Sequence, residues 1–468
     1  MMLESRDKYL VKNTAIFAFG DLCYKVIHFF MVPLCTYTLS TEEYGTVDFM
    51  ISVLSIINSF TMCSINEAVR RFLLEKDSDN GKIRATLYSW NFTGIIISLA
   101  VFTVMKFIPV FSQYALIMSA YTFCFCLCQT WSDYLKGNEK IIQDSICTVI
   151  VSVGIAVLSF VFLKNLKMGV IGYFMPYIIC YFTGAILEFI LGKQYKGLKS
   201  VRLDKKIFKE MTVFSATFIP NSIMWWIMSS SDRIMVTSMV SASANGIYSV
   251  SYKLPSVMSM LNSIIMKAWQ FSAVKEAESE DREEYNNQMF KFYFSSIAFI
   301  AAGAFLILKP FTKLYVATEY YSAWKYSPFL IFGLMFQILG DFVGTNYFVA
   351  KDMKGNLVSS TIGAVINIAL NFLLIPIIGV TGAAVATCIS YIAIFIFRVI
   401  NTRKYVVTRV VTPYTASILL IEMLMLAFVY ISGFLSYVLM AICFILILLI
   451  TKDTFIPILK KKSNEKTG

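Results

Sequence analysis

The chain has 468 residues, of which 57% are hydrophobic and only 15% are charged, and its formal net charge is +12. Soluble proteins carry about 25% charged residues, so the main solvent of this chain is lipid. The two longest polar gaps, 193–209 and 273–288, are shorter than the roughly 40 residues that an independent soluble core needs. The sequence therefore has no room for an ATPase domain or a sugar-nucleotide domain, and we expect it not to be an enzyme.

Apolar stretches of the length that crosses a bilayer, about 20 residues, recur from one end of the chain to the other. We predict an all-α, polytopic membrane protein of about 14 transmembrane helices. They are predicted near 13–39, 44–68, 83–105, 110–133, 141–163, 169–191, 208–231, 243–266, 290–310, 323–349, 357–376, 380–400, 411–431 and 434–451. The first stretch is too long for the apolar part of a cleavable signal peptide.

Basic residues alternate between the loops of this plan. Of the 41 Lys and Arg residues, 32 lie on the side of the N-terminus, 7 lie on the other side, and Lys25 and Lys253 lie inside helices. Basic residues concentrate in cytoplasmic loops, so we predict a multi-pass protein of the inner (plasma) membrane with both termini in the cytoplasm. The basic run in loop 193–209 can bind anionic lipid headgroups. A nucleic-acid partner is not expected.

The sequence repeats itself weakly at an offset of about 200 residues. Gly169-Val170-Ile171-Gly172-Tyr173 corresponds to Gly379-Val380-Thr381-Gly382-Ala383, and the turn at 39–45 corresponds to the turn at 240–246. Two six-helix halves in the same membrane orientation imply a parallel repeat, which is typical of alternating-access transporters. We predict an N-terminal bundle over 1–206 with a basic linker, a C-terminal bundle over 207–405, and two extra helices with a basic tail over 406–468.

Helix 1 carries three ionisable residues, Asp21, Lys25 and His28, whose spacings place them within about 60° of arc on one face. A charged side chain near the bilayer centre costs roughly 3 kcal/mol, so such residues persist where they meet a cavity or a partner. We expect this face to line a cavity and bind substrate, and an Asp21–Lys25 pair that serves only packing is the alternative. With one His, and ten Cys that lack ligand spacing, no cofactor is expected.

Lys253 is the second base placed inside a predicted helix, directly before Leu254-Pro255. Proline leaves a carbonyl unpaired and bends the helix. Snorkelling to the interface is the alternative, but Lys253 lies about ten residues from the nearer predicted end, so a cavity role is favoured. Arg70 ends helix 2 on the cytoplasmic side, where it serves either as an anchor or as a contact for an anionic headgroup at the inner gate.

Polar residues also interrupt three later helices. Helix 7 contains Pro220-Asn221, which predicts a break, and ends near Asp232. Helix 11 carries Asn367 and Asn371 on one face, and Thr387 follows in helix 12. Packing explains small residues such as those of the GxxxG pair in helix 10 at 340–344, but it does not explain two asparagines.

Three runs of this sequence resemble those of a known family. They are the stretch from Leu10-Val11-Lys12-Asn13-Thr14 to Tyr44-Gly45, Asp232-Arg233 followed by Gly246-Ile247-Tyr248-Ser249-Val250-Ser251-Tyr252-Lys253-Leu254-Pro255, and Asn367-x3-Asn371-x4-Pro376-x2-Gly379-x2-Gly382-Ala383-Ala384-x-Ala386-Thr387. In this order, on a plan of six, six and two helices, they resemble the polysaccharide biosynthesis (O-antigen and exopolysaccharide) flippases. That family belongs to the multidrug/oligosaccharidyl-lipid/polysaccharide exporter superfamily.

The resemblance implies a two-bundle transporter with a cationic cavity that moves undecaprenyl-diphosphate-linked oligosaccharide, next to glycosyltransferases and a polymerase. By motif position, Lys253 matches a basic cavity residue of the lipid II branch. Asp232, Asn367, Asn371 and Thr387 match a sodium site of that branch, although Asn371 stands where the branch has an acid. With one carboxylate fewer, such a site is weaker or absent, and sodium or a proton remain the candidate coupling ions.

Three other functions agree less well with the sequence. A multidrug cation antiporter of the same superfamily should have an acidic or aromatic cavity, and the two bases inside helices argue against it. A polymerase or ligase would need a large outer loop, whereas the outer loops here are short. A purely structural membrane protein would not need paired broken helices. The favoured interpretation is a flippase that binds the diphosphate at Lys25 and Lys253.

Overall fold

A computed structural model describes residues 20, 22–75, 79–197 and 203–464 of the chain. All regular secondary structure in these ranges is helical, which confirms the predicted fold class. The helices are α1 (22–38), α2 (Thr41–Met62), α3 (Ile65–Leu73), α4 (Asn80–Phe107), α5 (Ala115–Gly137), α6 (Ile141–Ser159, continued by a π-helix over Phe160–Asn165), α7 (Gly169–Leu191), α8 (Lys205–Ala216), α9 (Ile219–Met239), α10 (Ala242–Ser251), α11 (Lys253–Lys275), α12 (Arg282–Tyr315), α13 (Ser327–Val349), α14 (Met353–Ile378), α15 (Val380–Asn401), α16 (Pro413–Phe428) and α17 (Phe434–Asn464).

Ten helices within the described ranges are long and apolar enough to cross a membrane. Each of the 14 predicted segments has a helical counterpart. Four predicted segments are not among these ten helices. They are α1, which is described as a helix from residue 22, the divided segments α8–α9 and α10–α11, and α16, which is a shorter apolar helix. In α8–α9 and α10–α11, the helix breaks that the sequence predicts leave each helix with a shorter continuous apolar stretch.

The described residues form two compact units, one up to Trp226 and one from Ile227 onward. The division falls within α9. In the second unit α13 is the most enclosed helix, with two thirds of its apolar window buried. The predicted boundaries at 206/207 and 405/406 stay predictions.

Helix 2 of the prediction is divided in the structure. Residues 44–68 were expected as one helix, but α2 ends at Met62 and α3 begins at Ile65. Between them Cys63 and Ser64 have φ of 46° and 52°, in the left-handed region that non-glycine residues rarely adopt. Since neither residue is Gly, Asn or Pro, the sequence gives no warning of this break, and the expectation of a continuous helix was wrong.

Proline residues mark the other two breaks, as predicted. α8 ends at Ala216 and α9 begins at Ile219, so Pro220 lies in the first turn of α9, where a missing N–H is harmless. Pro255 lies in the first turn of α11 in the same way. Because Pro255 has no N–H to offer the carbonyl of Ser251, that carbonyl instead accepts a hydrogen bond from Ser327 Oγ at 2.9 Å.

Local geometry repeats at the predicted offsets. Gly169 and Gly379 begin the corresponding helices α7 and α15, with φ of +57° and +61°, a conformation that favours glycine. Ser40 caps α2 and Ser241 caps α10, each accepting a hydrogen bond from the backbone N–H three residues later. The weak sequence repeat therefore encodes matched helix starts in the two halves.

The GxxxG pair of α13 packs against α15. The guanidinium of Arg398, in α15, lies against it, so that a Cβ atom on Gly344 would come within 3.0 Å of Arg398 Nη1. Arg398 is buried and donates to the carbonyl of Gly340 at 3.0 Å and to Asp341 Oδ1 at 2.9 Å. The small residues thus admit a charged side chain as well as a neighbouring helix.

Candidate functional site

The ionisable face of helix 1 is described from Lys25 onward, because Asp21 lies outside the described residues. Lys25 and His28 are both half-buried in α1. His28 Nδ1 donates to the carbonyl of Tyr24 at 2.9 Å, and its ring lies 5.8 Å from the ring of Tyr177 in α7. The histidine is therefore seated against an aromatic helix of the first unit. The substrate-binding role of these residues stays a prediction.

Lys253 is the first residue of α11, directly after the interruption at Tyr252. It is half-buried and belongs to the second unit. A base at a helix break has backbone polar groups close by, which lowers the cost of its charge within an apolar span. The break confirms the effect expected of Pro255, while the role of Lys253 in the substrate site is still a prediction.

Arg70 forms an ion pair within α3. Its Nη2 atom lies 2.5 Å from Glu67 Oε1, and both side chains are partly exposed. Its neighbour Arg71 packs its guanidinium over the ring of Phe214, 4.6 Å from the centroid. The second contact ties α3 to α8, and a contact of Arg70 with substrate stays a prediction.

The four residues predicted to share a cation site come together in the second unit. Asn371 Nδ2 donates to Asn367 Oδ1 at 3.0 Å, and Asn367 Nδ2 donates to Thr387 Oγ1 at 3.3 Å. Thr387 Oγ1 in turn makes a long contact of 3.5 Å to Asp232 Oδ2. All four side chains are buried. The spacing within α14 and the order of α9, α14 and α15 thus produce one connected polar cluster.

Two tyrosines, one in α10 and one at the break between α10 and α11, complete the cluster, and the sequence did not predict them. Tyr248 and Tyr252 donate their hydroxyls to Asp232 Oδ2 at 2.7 and 2.6 Å. The backbone N–H of Arg233 donates to the other carboxylate oxygen at 2.8 Å. The signal was the four-residue spacing of the tyrosines, which places both on one face of a helix.

The cluster does not fit a bound cation in the arrangement that the structure shows. Hard cations such as Ca²⁺ take about six or more oxygen ligands. Asp232 already accepts donors on both oxygens, and Asn367 Oδ1 accepts from Ser231 Oγ at 3.1 Å as well as from Asn371. Asn371 Oδ1 is the amide oxygen of the cluster that lacks a hydrogen-bond partner among the described residues. One such oxygen does not make a sodium cage.

Residues 10–270, more than half of the chain, match the family described as "Polysaccharide biosynthesis protein". The chain belongs to this family. The resemblance that the three sequence runs carry is thereby confirmed. No curated protein matches the sequence.

Solved structures with the same fold are flippases and transporters. A lipid II flippase MurJ in an inward closed conformation has a TM-score of 0.70 and 15% identity, over 95% of this chain and 99% of MurJ. An inward-facing multidrug resistance MATE family transporter of the MOP superfamily has a TM-score of 0.63 and 13% identity, over 83% and 94% of the two chains. A mutant of the Vibrio cholerae MATE transporter VcmN has a TM-score of 0.56 and 12% identity, over 86% and 97%. At these identities the likeness shows the fold, that of a multi-pass membrane transporter.

This member of the polysaccharide biosynthesis family also buries acids in its first unit. Asp144 and Glu188 line a cavity of about 210 Å³ between α5, α6 and α7. Ser132 Oγ donates to Asp144 at 2.6 Å, and Lys136 Nζ lies 3.7 Å from Asp144 and 3.9 Å from Asp133. The two acids lie in different helices, α6 and α7, and the fold places both of them on the wall of one cavity together with Lys136.

Proposed function

We propose that this polysaccharide biosynthesis protein is a flippase that moves undecaprenyl-diphosphate-linked oligosaccharide across the cytoplasmic membrane by alternating access. The observation that carries the proposal is the family match over residues 10–270, because it links the chain to polysaccharide synthesis rather than to drug export. The fold, common to MurJ and the MATE transporters, is compatible with both. The proposal therefore rests on the family for its substrate and on the fold for its mode of action.

The chemistry of the substrate explains the basic residues. A diphosphate carries its charge into hydrocarbon only at a large desolvation cost, so it needs a protein partner while it crosses. In this proposal Lys25 and Lys253 supply charge-assisted hydrogen bonds to the diphosphate, and Arg70, His28 and Asp21 shape the surrounding field. No bond of the substrate is broken, so the protein acts as a transporter and not as an enzyme.

The location and the partners follow from the same proposal. The chain would lie in the inner membrane with both termini in the cytoplasm, receive its substrate from glycosyltransferases on that side, and release it to a polymerase on the other. Membrane lipids are permanent partners of its exposed apolar helices. Since the Asp232 cluster does not fit sodium, the drive for export would be a proton or the membrane potential.

A multidrug cation antiporter is the second candidate, and the MATE-like fold favours it as much as it favours a flippase. The two bases within the helical segments, Lys25 and Lys253, argue against it, because an organic cation is repelled by lysine. The two candidates differ in the sign of the charge that their substrate carries. A transport assay with one anionic and one cationic substrate therefore distinguishes them.

Transport by the full chain in proteoliposomes separates the candidates. The probes are undecaprenyl-diphosphate-linked oligosaccharide with a fluorescent label on the sugar, and ethidium as an organic cation. We expect the chain to move the labelled sugar lipid between leaflets, relative to empty vesicles, and to leave ethidium gradients unchanged. Ethidium transport without movement of the sugar lipid would overturn the flippase proposal in favour of the antiporter.

A further inference from the structure

A polar cavity of about 470 Å³ lies in the first unit, beside the break between α2 and α3. Its volume falls within the range of about 300–1,000 Å³ that small-molecule sites occupy. Residues of α2, α3, α5 and α9 line it, and all of them belong to the unit that ends at Trp226. It is separate from the Asp232 cluster of the second unit.

Two asparagines on the wall of this cavity carry oxygens without partners. Asn58 of α2 is 8% exposed, and its Oδ1 atom has no hydrogen-bond donor among the described residues. Asn221 of α9 is half-buried, and its Oδ1 atom is equally without a donor there. Buried amide oxygens are nearly always satisfied, so two such oxygens on one cavity indicate a ligand that brings hydrogen-bond donors.

Other side chains on the wall are acceptors as well. Gln129 Nε2 donates to Asp133 Oδ2 at 3.0 Å, which leaves its Oε1 atom to accept from a ligand. Ser59 Oγ donates its hydrogen to the carbonyl of Ser55 at 2.9 Å, so this hydroxyl can only accept a hydrogen bond from a ligand. An occupant rich in hydroxyl donors would satisfy this set, because each amide or hydroxyl oxygen accepts up to two hydrogen bonds.

The charge of the cavity excludes a phosphate and disfavours an organic cation. No Lys, Arg or His is among the described residues that line it. Its one acid, Glu67, is already paired with Arg70 at 2.5 Å. A buried anion would meet the carboxylate of Glu67 and an arginine that is already paired with it, and a buried cation would have to compete with Arg70 for that carboxylate. The preferred occupant is therefore neutral.

Aromatic rings supply the apolar part of the wall. Tyr121 and Phe125 of α5 stack with their planes 4° apart, and Phe218 contributes a third ring from the link between α8 and α9. Pockets that combine a few placed polar groups with aromatic faces bind compact organic ligands with polar edges. A pyranose ring has such a form, with hydroxyls around its edge and C–H groups on its faces.

We propose that this cavity binds a neutral sugar residue of the glycan, with the side-chain amides of Asn58 and Asn221 as hydrogen-bond partners for its hydroxyls. The inference rests on the proposed function and deepens it, because it assigns recognition of the sugar to side chains other than those proposed to bind the diphosphate. The left-handed residues Cys63 and Ser64 bring α3 to the cavity, so the strained break has a role in forming the site.

Binding by the full chain in lipid nanodiscs tests the proposal. The probes are an array of soluble, lipid-free neutral and acidic oligosaccharides, and farnesyl diphosphate as a soluble reporter of the diphosphate site. We expect at least one neutral oligosaccharide to bind, and we expect Asn58→Leu and Asn221→Leu each to weaken that binding about tenfold. Farnesyl diphosphate should bind both variants within about twofold of the parent, which also shows that they are folded.

Asn91→Leu is the matched control. Asn91 also has an amide atom without a partner, but it borders a void of about 10 Å³, which is too small for a sugar. Its substitution should leave oligosaccharide binding unchanged. If farnesyl diphosphate binds the parent and no neutral oligosaccharide does, the sugar site is wrong and the flippase proposal stands. If neither binds, the flippase proposal itself fails. An equal loss for Asn91→Leu would also overturn the assignment.

Discussion

The hydroxyl of Tyr252 lies 2.6 Å from Asp232 Oδ2, which makes the tyrosine of the α10–α11 break a direct partner of the buried carboxylate in α9. Tyr248, one turn earlier, donates to the same oxygen. Hydrogen bonds to an ionised group are among the stronger ones in proteins. The carboxylate that the sequence marks as a cation ligand is thus held by the protein's own donors.

This arrangement predicts that sodium does not stabilise the protein. The thermal unfolding midpoint of the purified chain should be the same in sodium chloride and in choline chloride at equal ionic strength. Asp232→Asn should lower the midpoint in both salts, because it weakens the hydrogen bonds from the two tyrosines. A midpoint that rises with sodium in the parent and not in Asp232→Asn would contradict this prediction and restore the cation site.

Local chemistry made much of the fold and of the Asp232 cluster predictable from the sequence. Helix number followed from the length and spacing of the apolar stretches, and two breaks followed from Pro220 and Pro255. Asn367 and Asn371 share a face because residues four apart do so in any α-helix. Their meeting with Asp232 and Thr387 needed the family resemblance, since spacing alone does not place three separate helices side by side.

Features that depend on tertiary packing could not be predicted from the sequence. The left-handed pair at Cys63 and Ser64 carries no glycine, so its conformation is imposed by the surrounding fold. The sugar-sized cavity beside it depends on where α5 and α9 pack. The predicted end of helix 12 at residue 400 places Arg398 near the membrane surface, whereas the structure buries its guanidinium among α13, α14 and α15.

Arg398→Ala is expected to destabilise the second unit. The side chain donates to Asp341, to the carbonyl of Gly340 and to Ser359, so its removal leaves acceptors in two helices, α13 and α14, without their donor. The expected loss is about 3 kcal/mol, at the low end for a broken buried pair, because Asp341 is itself 27% exposed.

Denaturation by urea in mild detergent measures this loss. Arg409→Ala is the control, since Arg409 is exposed and its change should stay within about 0.5 kcal/mol. Equal stability of the Arg398 and Arg409 variants would mean that the buried network contributes nothing to the fold.

The hydrogen bonds of Asp352 predict that the protein loses stability in acid. Its carboxylate caps α14 through the N–H of Gly355 and accepts from Tyr405 and Lys404, and these contacts lower the pKa of Asp352 from 3.8 to about 2. A lowered pKa in the folded state stabilises the protein above the unfolded pKa, and the contribution disappears as the pH falls from about 4 to about 2. The thermal midpoint should fall over this window in the parent protein.

Asp352→Asn should flatten that part of the pH profile, with a lower midpoint at neutral pH. Asp281→Asn provides the comparison, because Asp281 precedes α12 without a capping hydrogen bond and is exposed. A pH profile that is identical in the parent and in Asp352→Asn would show that other groups control the acid transition.

The charge bias of the loops predicts the orientation in the membrane. Reporter fusions within the basic loop 193–209 should have cytoplasmic activity, and a tag inserted between Glu42 and Glu43 should be accessible from outside. The reason is that 32 of 41 basic residues fall on one side of the helix plan. An externally accessible 193–209 loop would invert the topology and make the orientation argument wrong.

The two bases inside the helical segments give the most direct test of the mechanism. Lys25→Ala and Lys253→Ala should each abolish movement of the labelled sugar lipid in proteoliposomes, because each removes a cation that offsets the desolvation of the diphosphate. Lys253→Arg should keep much of the activity, since the charge is what the substrate needs. Lys275→Ala, which removes an exposed base from the same helix α11, should have no effect.

The position of Lys253 also separates binding from movement. It follows Tyr252, so an anion bound at Lys253 sits next to the residue that joins the α10–α11 break to Asp232. If the lysine serves binding, Lys253→Ala should raise the substrate concentration needed for half-maximal transport far more than Tyr252→Phe does. Tyr252→Phe should instead slow transport at saturating substrate, since it loosens the break. Normal transport by both alanine variants would show that neither Lys25 nor Lys253 serves the diphosphate, and the cationic mechanism would have to be abandoned.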